Sequence, residues 1–251
     1  MTEVPKTFRD MVVLETRPKR KSFFGKVFDN NYVMRKRGIH TISDSMFKLF
    51  CGVERVDERG RFIPELSYIW EGHSYLRNWY NVLRQHAFFV NADESTWAEG
   101  YLNIKDTTGT VIYGNTLKTI FRYYSAEQYK HTSTSLSIQV GTSDTAVSET
   151  DYKLGSRIGS GTGSGQLQYN NPTQWVFYDG SNKVWSTDVG RLFIGNTVDS
   201  VTVKEMGMCV AYTNTPNLFY IIRDLVSPAV TIDVSPDRAT FHYIIEIQFS
   251  A

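Results

Sequence analysis

The stretch Phe241-His242-Tyr243-Ile244-Ile245-Glu246-Ile247-Gln248-Phe249 carries a large apolar side chain at every second position. A period of two is the mark of a strand whose successive side chains point to opposite faces. Phe241, Tyr243, Ile245, Ile247 and Phe249 are expected on a buried face, with His242, Ile244, Glu246 and Gln248 on the other. Immediately before it, Ala229 to Val234 reads as a partner strand. Ser235-Pro236-Asp237-Arg238 supplies turn residues between the two, so the pair predicts a hairpin.

The same period continues upstream. From about Trp97 onward, Tyr101–Ile104, Val111–Tyr113, Thr119–Tyr124, Ser135–Val140, Gln174–Tyr178, Arg191–Ile194, Ser200–Val203, Met208–Tyr212 and Leu218–Arg223 read as short strands, separated by Gly, Asn, Thr and Pro turns. No alternation with helices points to a parallel sheet, and no repeat of solenoid or propeller length is seen. The fold class expected is mainly β: an antiparallel β-sandwich or jelly-roll-like domain over residues 93–251.

Ahead of that domain the pattern changes twice. Over residues 63–92, Leu66, Ile69, His73, Leu76, Tyr80 and Leu83 recur at spacings of three and four, and Pro64 suits a first helical turn, so one helical segment is expected. Residues 1–62 are irregular and locally basic. Arg17, Lys19, Arg20, Lys21, Arg35, Lys36 and Arg37 are set among Phe23 and Phe24, with Pro5, Pro18, Gly25 and Gly38 interrupting any helix. An extended basic N-terminal arm follows from that composition. Interleaved cations and aromatic rings suit an anionic partner surface, where Arg bonds carboxylates and Phe fills pockets. The same mixture suits phosphate backbones and bases, so nucleic acid touched through the arm is a second reading. With the aromatic excess on the expected helix, the candidate partner-interface residues are Arg17, Lys19, Arg20, Lys21, Phe23, Phe24, Arg35, Lys36, Arg37, Trp70 and Trp79.

Whole-chain numbers narrow the classes. The 251 residues hold 27 Lys and Arg against 26 Asp and Glu, so no global attraction to nucleic acid or anionic membrane exists. Aromatic residues reach 14%, which favours sheets and interfaces. No apolar run approaches the roughly 18 residues of a spanning helix, and the start lacks the layout of a secretory signal. A soluble protein made in the cytoplasm is expected. Cys51 and Cys209 stand far apart without zinc or disulfide spacing and read as reduced core thiols.

Chemistry-bearing motifs are sparse. Gly159-Ser160-Gly161-Thr162-Gly163-Ser164-Gly165 is rich enough in glycine to approach phosphate, yet it neither follows a buried strand into a helix nor contains Gly-Lys-Ser/Thr, so a flexible surface loop is expected. The five histidines show no ligand spacing, and no nucleophile elbow occurs. Carboxylates such as Glu71, Asp93, Glu94, Glu99, Glu205 and Glu246 could in principle form a glycosidase pair. Glu205 interrupts a strand pattern, and a carboxylate bonded to a neighbouring loop's amides is the preferred reading for it. No catalytic residue, cofactor or metal site is assigned.

Several dispersed segments carry a resemblance. Ile138-Gln139-Val140-Gly141-Thr142-Ser143, Asp151-Tyr152-Lys153-Leu154, Val203-Lys204-Glu205-Met206-Gly207-Met208, Leu218-Phe219-Tyr220-Ile221-Ile222-Arg223-Asp224 and the Tyr243 to Phe249 strand together resemble structural proteins of tailed viruses of bacteria and archaea. There a V-G-T, D-Y-x-L, E-x-G-hydrophobic, R-D and Y-x-I series recurs in capsid-associated, neck and tail components. Gly72-His73-Ser74-Tyr75-Leu76-Arg77-Asn78-Trp79-Tyr80 is similar to a segment that precedes such modules. Met208 stands where Leu or Tyr is usual. The resemblance implies a non-enzymatic virion structural protein, a homo-oligomer that also contacts other virion proteins in virus assembly, located in the virion and assembled in the host cytoplasm. The competing classes are a host-surface carbohydrate-binding or glycan-processing module and a nucleic-acid-contacting protein using the arm.

Overall fold

A computed structural model of the chain describes residues 47–72, 75–79, 104–112, 137–179, 184–211 and 218–248. The fold is mainly β, built from antiparallel sheets. Ten strands are present among the described residues: β1 (Phe47–Arg55), β2 (Tyr68–Gly72), β3 (Ile104–Lys105), β4 (Val111–Ile112), β5 (Ser137–Gly141), β6 (Leu167–Asp179), β7 (Val184–Gly195), β8 (Val201–Ala211), β9 (Leu218–Ile232) and β10 (Arg238–Gln248). They form a five-stranded sheet in the order β2-β1-β10-β7-β6, a three-stranded sheet β5-β8-β9 and a small ribbon β3-β4. The chain divides into two compact units, to both of which β6, β7 and β10 contribute.

The described part of the first unit comprises residues 47–72, 175–179, 184–188 and 242–248. β1 pairs antiparallel with β2, setting Cys51 opposite Trp70 and Gly52 opposite Ile69. Gly72 is required at the end of β2, because a Cβ there would lie 2.8 Å from Cγ of buried Leu49. The connection is closed by Asp57, whose Oδ1 accepts the amides of Arg59 and Arg61, with Gly60 at φ 76° completing the turn. Ser67 then ties the turn back: its Oγ accepts the Arg55 amide and donates to the Ile63 carbonyl. Phe50 and Ile244 form the core, packed by Phe62, Ile69 and Trp175.

The described part of the second unit comprises residues 75–79, 104–112, 137–174, 189–211 and 218–241. Here β5-β8-β9 and the adjoining lengths of β6, β7 and β10 make a two-sheet sandwich. Arg191 on β7 spans it: buried almost completely, it donates from Nε to the Asn170 carbonyl and from Nη1 to the Ile138 carbonyl of β5, with Tyr169 beneath its guanidinium. Burial pulls its pKa down to about 10, still leaving it charged at neutral pH. Phe193 packs edge-on against both Tyr169 and Phe241.

Several sequence expectations are corrected. The helical segment expected over 63–92 is not α-helical over its first ten residues: Pro64–Leu66 is a single 3-10 turn, and Tyr68–Gly72 is strand β2. Leu66, the first residue of the supposed apolar stripe, is exposed, and pairing with β1 draws Tyr68, Ile69 and Trp70 into the extended form that aromatic and β-branched residues favour. Among the described residues of that segment, 77–79 are α-helical, while 73–74 and 80–92 lie outside the described residues. The arm, expected to run to 62, is replaced over its last part by β1, whose Leu49, Phe50, Cys51 and Val53 are buried. Residues 1–46 lie outside the described residues, as does the expected strand Thr119–Tyr124.

Toward the C-terminus, the expected strands Ser200–Val203 and Met208–Tyr212 fall, over residues 201–203 and 208–211, in one strand, β8, and Leu218–Arg223 and Ala229–Val234 are largely parts of one strand, β9. The expected hairpin is therefore absent. β9 pairs with β8, whereas β10 lies between β1 and β7, so Ser235-Pro236-Asp237 carries the chain from one sheet to the other. The face assignment on β10 also changes. Residues 241–244 are all buried, then Ile244 and Glu246 are buried where Ile245 and Ile247 are only half-buried. A strand with paired neighbours on either side and cover on both faces has no solvent side for His242 and Glu246.

Candidate functional site

Two clusters of ionisable side chains and one pocket stand out. The first cluster lies on β8 and β9. Glu205, fully buried, accepts the Gly155 amide at Oε2 (3.0 Å) and the Ser156 amide at Oε1 (2.8 Å). Arg223, one strand away, donates from Nε to Glu205 Oε2 at 2.8 Å, from Nη1 to Asp151, and from Nη2 to the Thr145 carbonyl at 3.1 Å. Burial acts to lower the Arg223 pKa and is outweighed by the bonds to Glu205 and Asp151, so the guanidinium is held charged.

Two glycines make room for this arrangement. A Cβ at Gly141 would collide with the Glu205 carboxylate and the Ser156 carbonyl. A Cβ at Gly207 would lie 2.8 Å from Tyr220 Cδ1 and 2.9 Å from Leu154 Cδ2, so the bare backbone lets Leu154 and Tyr220 close over β8. The dispersed motifs thus meet. Val140-Gly141-Thr142, Asp151 to Leu154, Glu205 to Gly207 and Arg223-Asp224 are far apart in sequence, yet their key side chains and glycines belong to one assembly. It holds the loop over 142–157 onto the three-stranded sheet, helped by Thr142 N to Ser156 O and Ile158 N to Val140 O. The amide-bonded carboxylate expected at Glu205 is found; its guanidinium partner was not foreseen from the sequence.

The second cluster crosses three strands of the first unit. His242 on β10 places Nδ1 2.9 and 3.1 Å from the two Asp188 oxygens on β7, and Nε2 3.4 Å from Glu54 Oε2 on β1. Burial alone would push its pKa down, but the carboxylates of Asp188 and Glu54 more than reverse this and raise it to about 9. The ring is therefore an imidazolium at neutral pH, with both nitrogens as donors and no lone pair for general-base work. Beside it, Ser186 Oγ lies 3.1 Å from Glu246 Oε1 as donor. Glu246 is buried with its partner rather than solvated.

The pocket opens in the second unit, lined by Thr107, Lys153, Leu154, Arg157, Cys209, Leu218 and Tyr220, with a volume of about 160 Å³. Cys209 at its floor is a free buried thiol whose pKa burial pushes up to about 12, so it is a neutral wall rather than a nucleophile. Cys51 is likewise free and buried. The Gly/Ser-rich run at 159–165 lies at the surface and is pinned: Asp199 accepts Ser164 Oγ and the Gly165 amide, and Gln166 Oε1 accepts the Gly163 amide.

Of the candidate partner-interface residues, Arg17, Lys19, Arg20, Lys21, Phe23, Phe24, Arg35, Lys36 and Arg37 lie outside the described residues. Trp70 is half-buried on β2 beside Tyr68, and Trp79 is buried, stacked on Tyr75 with ring centroids 5.2 Å apart. An exposed apolar surface lies elsewhere. Val176 and Tyr178 on β6 and Trp185 on neighbouring β7 are each about half exposed, the last two with ring centroids 4.9 Å apart. Among the described residues no cluster of His, Cys, Asp or Glu is placed to hold a metal ion, and no helix is long and apolar enough to cross a membrane.

The class these features define is an antiparallel β-sandwich protein braced by buried ion clusters. No protein-family model matches the chain, and no curated protein or solved structure is significantly similar to it.

Proposed function

We propose that this chain is a virion structural protein that works through subunit contacts in a homo-oligomer and with other virion components, and not through a catalytic pocket. The observation that carries the reading is the Val176, Tyr178 and Trp185 surface. Two aromatic rings in tilted contact and a valine left in water on adjacent strands are costly for an isolated molecule and suit the apolar centre of a protein interface, where aromatics are enriched. Support also comes from the first cluster. The segments that resemble virion proteins converge on a scaffold whose Glu205, Arg223 and Asp151 are bonded to one another and to backbone, which is the work of a rigid building block.

The test is quantitative mass spectrometry of purified particles together with the double variant Tyr178→Glu, Trp185→Glu. The chain is expected in many copies per particle, and the variant is expected to fold yet fail to incorporate. Absence of the chain from particles, or normal incorporation of the variant, would contradict the proposal.

A further inference from the structure

The pocket in the second unit has a two-part chemistry. Its floor is apolar, formed by buried Leu154, Cys209 and Tyr220 with half-buried Leu218, while its rim carries exposed Lys153 and Arg157 and the Thr107 hydroxyl. The turn between β3 and β4 is fixed against this rim by the bond from the Thr107 amide to the Leu218 carbonyl, 2.8 Å. An apolar cavity of about 150 Å³ accepts a benzene ring, so 160 Å³ is room for one six-membered ring.

The charge around the rim is one-signed. Lys105 and Lys153 both bring their ammonium groups to the ring of Tyr152, at 5.8 and 5.7 Å from its centroid. The carboxylates closest to them in sequence are engaged: Asp106 accepts from the amides of Thr108 and Thr110 and from the Thr108 hydroxyl, and Asp151 pairs with Arg223. Lys153 and Arg157 are thus the two charged residues lining an apolar hole, and Lys105 shares the Tyr152 ring with Lys153.

We infer that this pocket binds a small monoanion with a single ring-sized apolar body, an aryl carboxylate, its ring against Leu154, Leu218 and Tyr220 and its carboxylate between Lys153 and Arg157. The inference is independent of the assembly role. The free chain, methyl-labelled at leucine, is titrated with benzoate, benzyl alcohol, benzylammonium and acetate by NMR. Benzoate should shift the Leu154 and Leu218 methyl signals saturably. Benzyl alcohol and acetate should each bind at least about tenfold more weakly, since one lacks the charge-assisted bonds and the other the ring, and benzylammonium should not bind. Lys153→Gln and Arg157→Gln, both at exposed positions, should each weaken benzoate about tenfold while leaving benzyl alcohol unchanged. No saturable shift with benzoate, equal binding of benzoate and benzyl alcohol, or full binding by both variants would overturn the assignment. Acetate binding as tightly as benzoate would do so too, by reducing the site to a surface cation pair.

Discussion

The Arg223 cluster of the second unit and the His242 cluster of the first solve one problem, burial of charge between strands, by different means. Arg223 is a cation that no accessible pH removes, and Glu205 opposite it is bonded on both oxygens by loop amides as well. His242 is a cation only because Asp188 and Glu54 keep it so. The difference teaches where the molecule is sensitive. The loop over 142–157 is fastened through a guanidinium whose charge is permanent, whereas the β1-β10-β7 seam is fastened by a proton on an imidazole.

The largest effect is expected at Arg223. Arg223→Met leaves Glu205 buried without its cation, and breaking a buried pair in this way costs about 3–5 kcal/mol, a large part of a domain's margin. Urea unfolding of the second unit should move accordingly, and the double change Arg223→Met, Glu205→Gln should recover part of the loss. If the single variant is as stable as the parent, the cluster is not what holds the loop.

Next comes the packing around the second cluster. Ile244 is fully buried against Phe50, and Ile245 only half-buried. Ile244→Ala should cost about 2–5 kcal/mol and Ile245→Ala clearly less. The reverse order would restore the face assignment that the period of two suggested. The smallest effect belongs to the exposed pair Lys204 and Asp144, 3.1 Å apart. Lys204→Met should leave the unfolding midpoint unchanged within error, since screened surface pairs contribute little. A loss comparable with that at Arg223 would erase the contrast between buried and exposed ion pairs.

How much of this was legible follows from the residues. The β class and most strand positions were readable because Ile138, Val140, Val201, Val203, Phe241 and Tyr243 are apolar at strand spacing. The breaks assigned within β8 and β9 were not real. Lys204-Glu205 looked like an interruption, since a sequence does not tell a solvated carboxylate from one bonded to two amides and a guanidinium. The same blindness hid Asp188 and Glu54: their partner His242 alternates with apolar residues, which places it opposite the buried face and says nothing of a carboxylate partner. A polar residue at every second place on β7 as well, Ser186 and Asp188, was the available signal of a polar layer, and pairing it with β10 required the topology. Over Pro64 to Gly72 the expected helix gave way because Leu66 and Ile69 satisfy a spacing of three locally, while the pairing of Tyr68 to Gly72 with β1 is a non-local fact.

The contrast is tested most directly by measuring unfolding free energy against pH for the parent chain and His242→Gln. In the parent, the folded-state pKa of about 9 exceeds the ordinary imidazole value of about 6.5, so the folded chain binds the proton more tightly than the unfolded chain does. The stabilisation is whole below pH 6.5 and lost as pH rises through about 9, a fall of about 3 kcal/mol across that window. The account predicts that fall in the parent and its absence in His242→Gln. Parallel curves for the two proteins, or a parent whose stability rises over the same window, would contradict it.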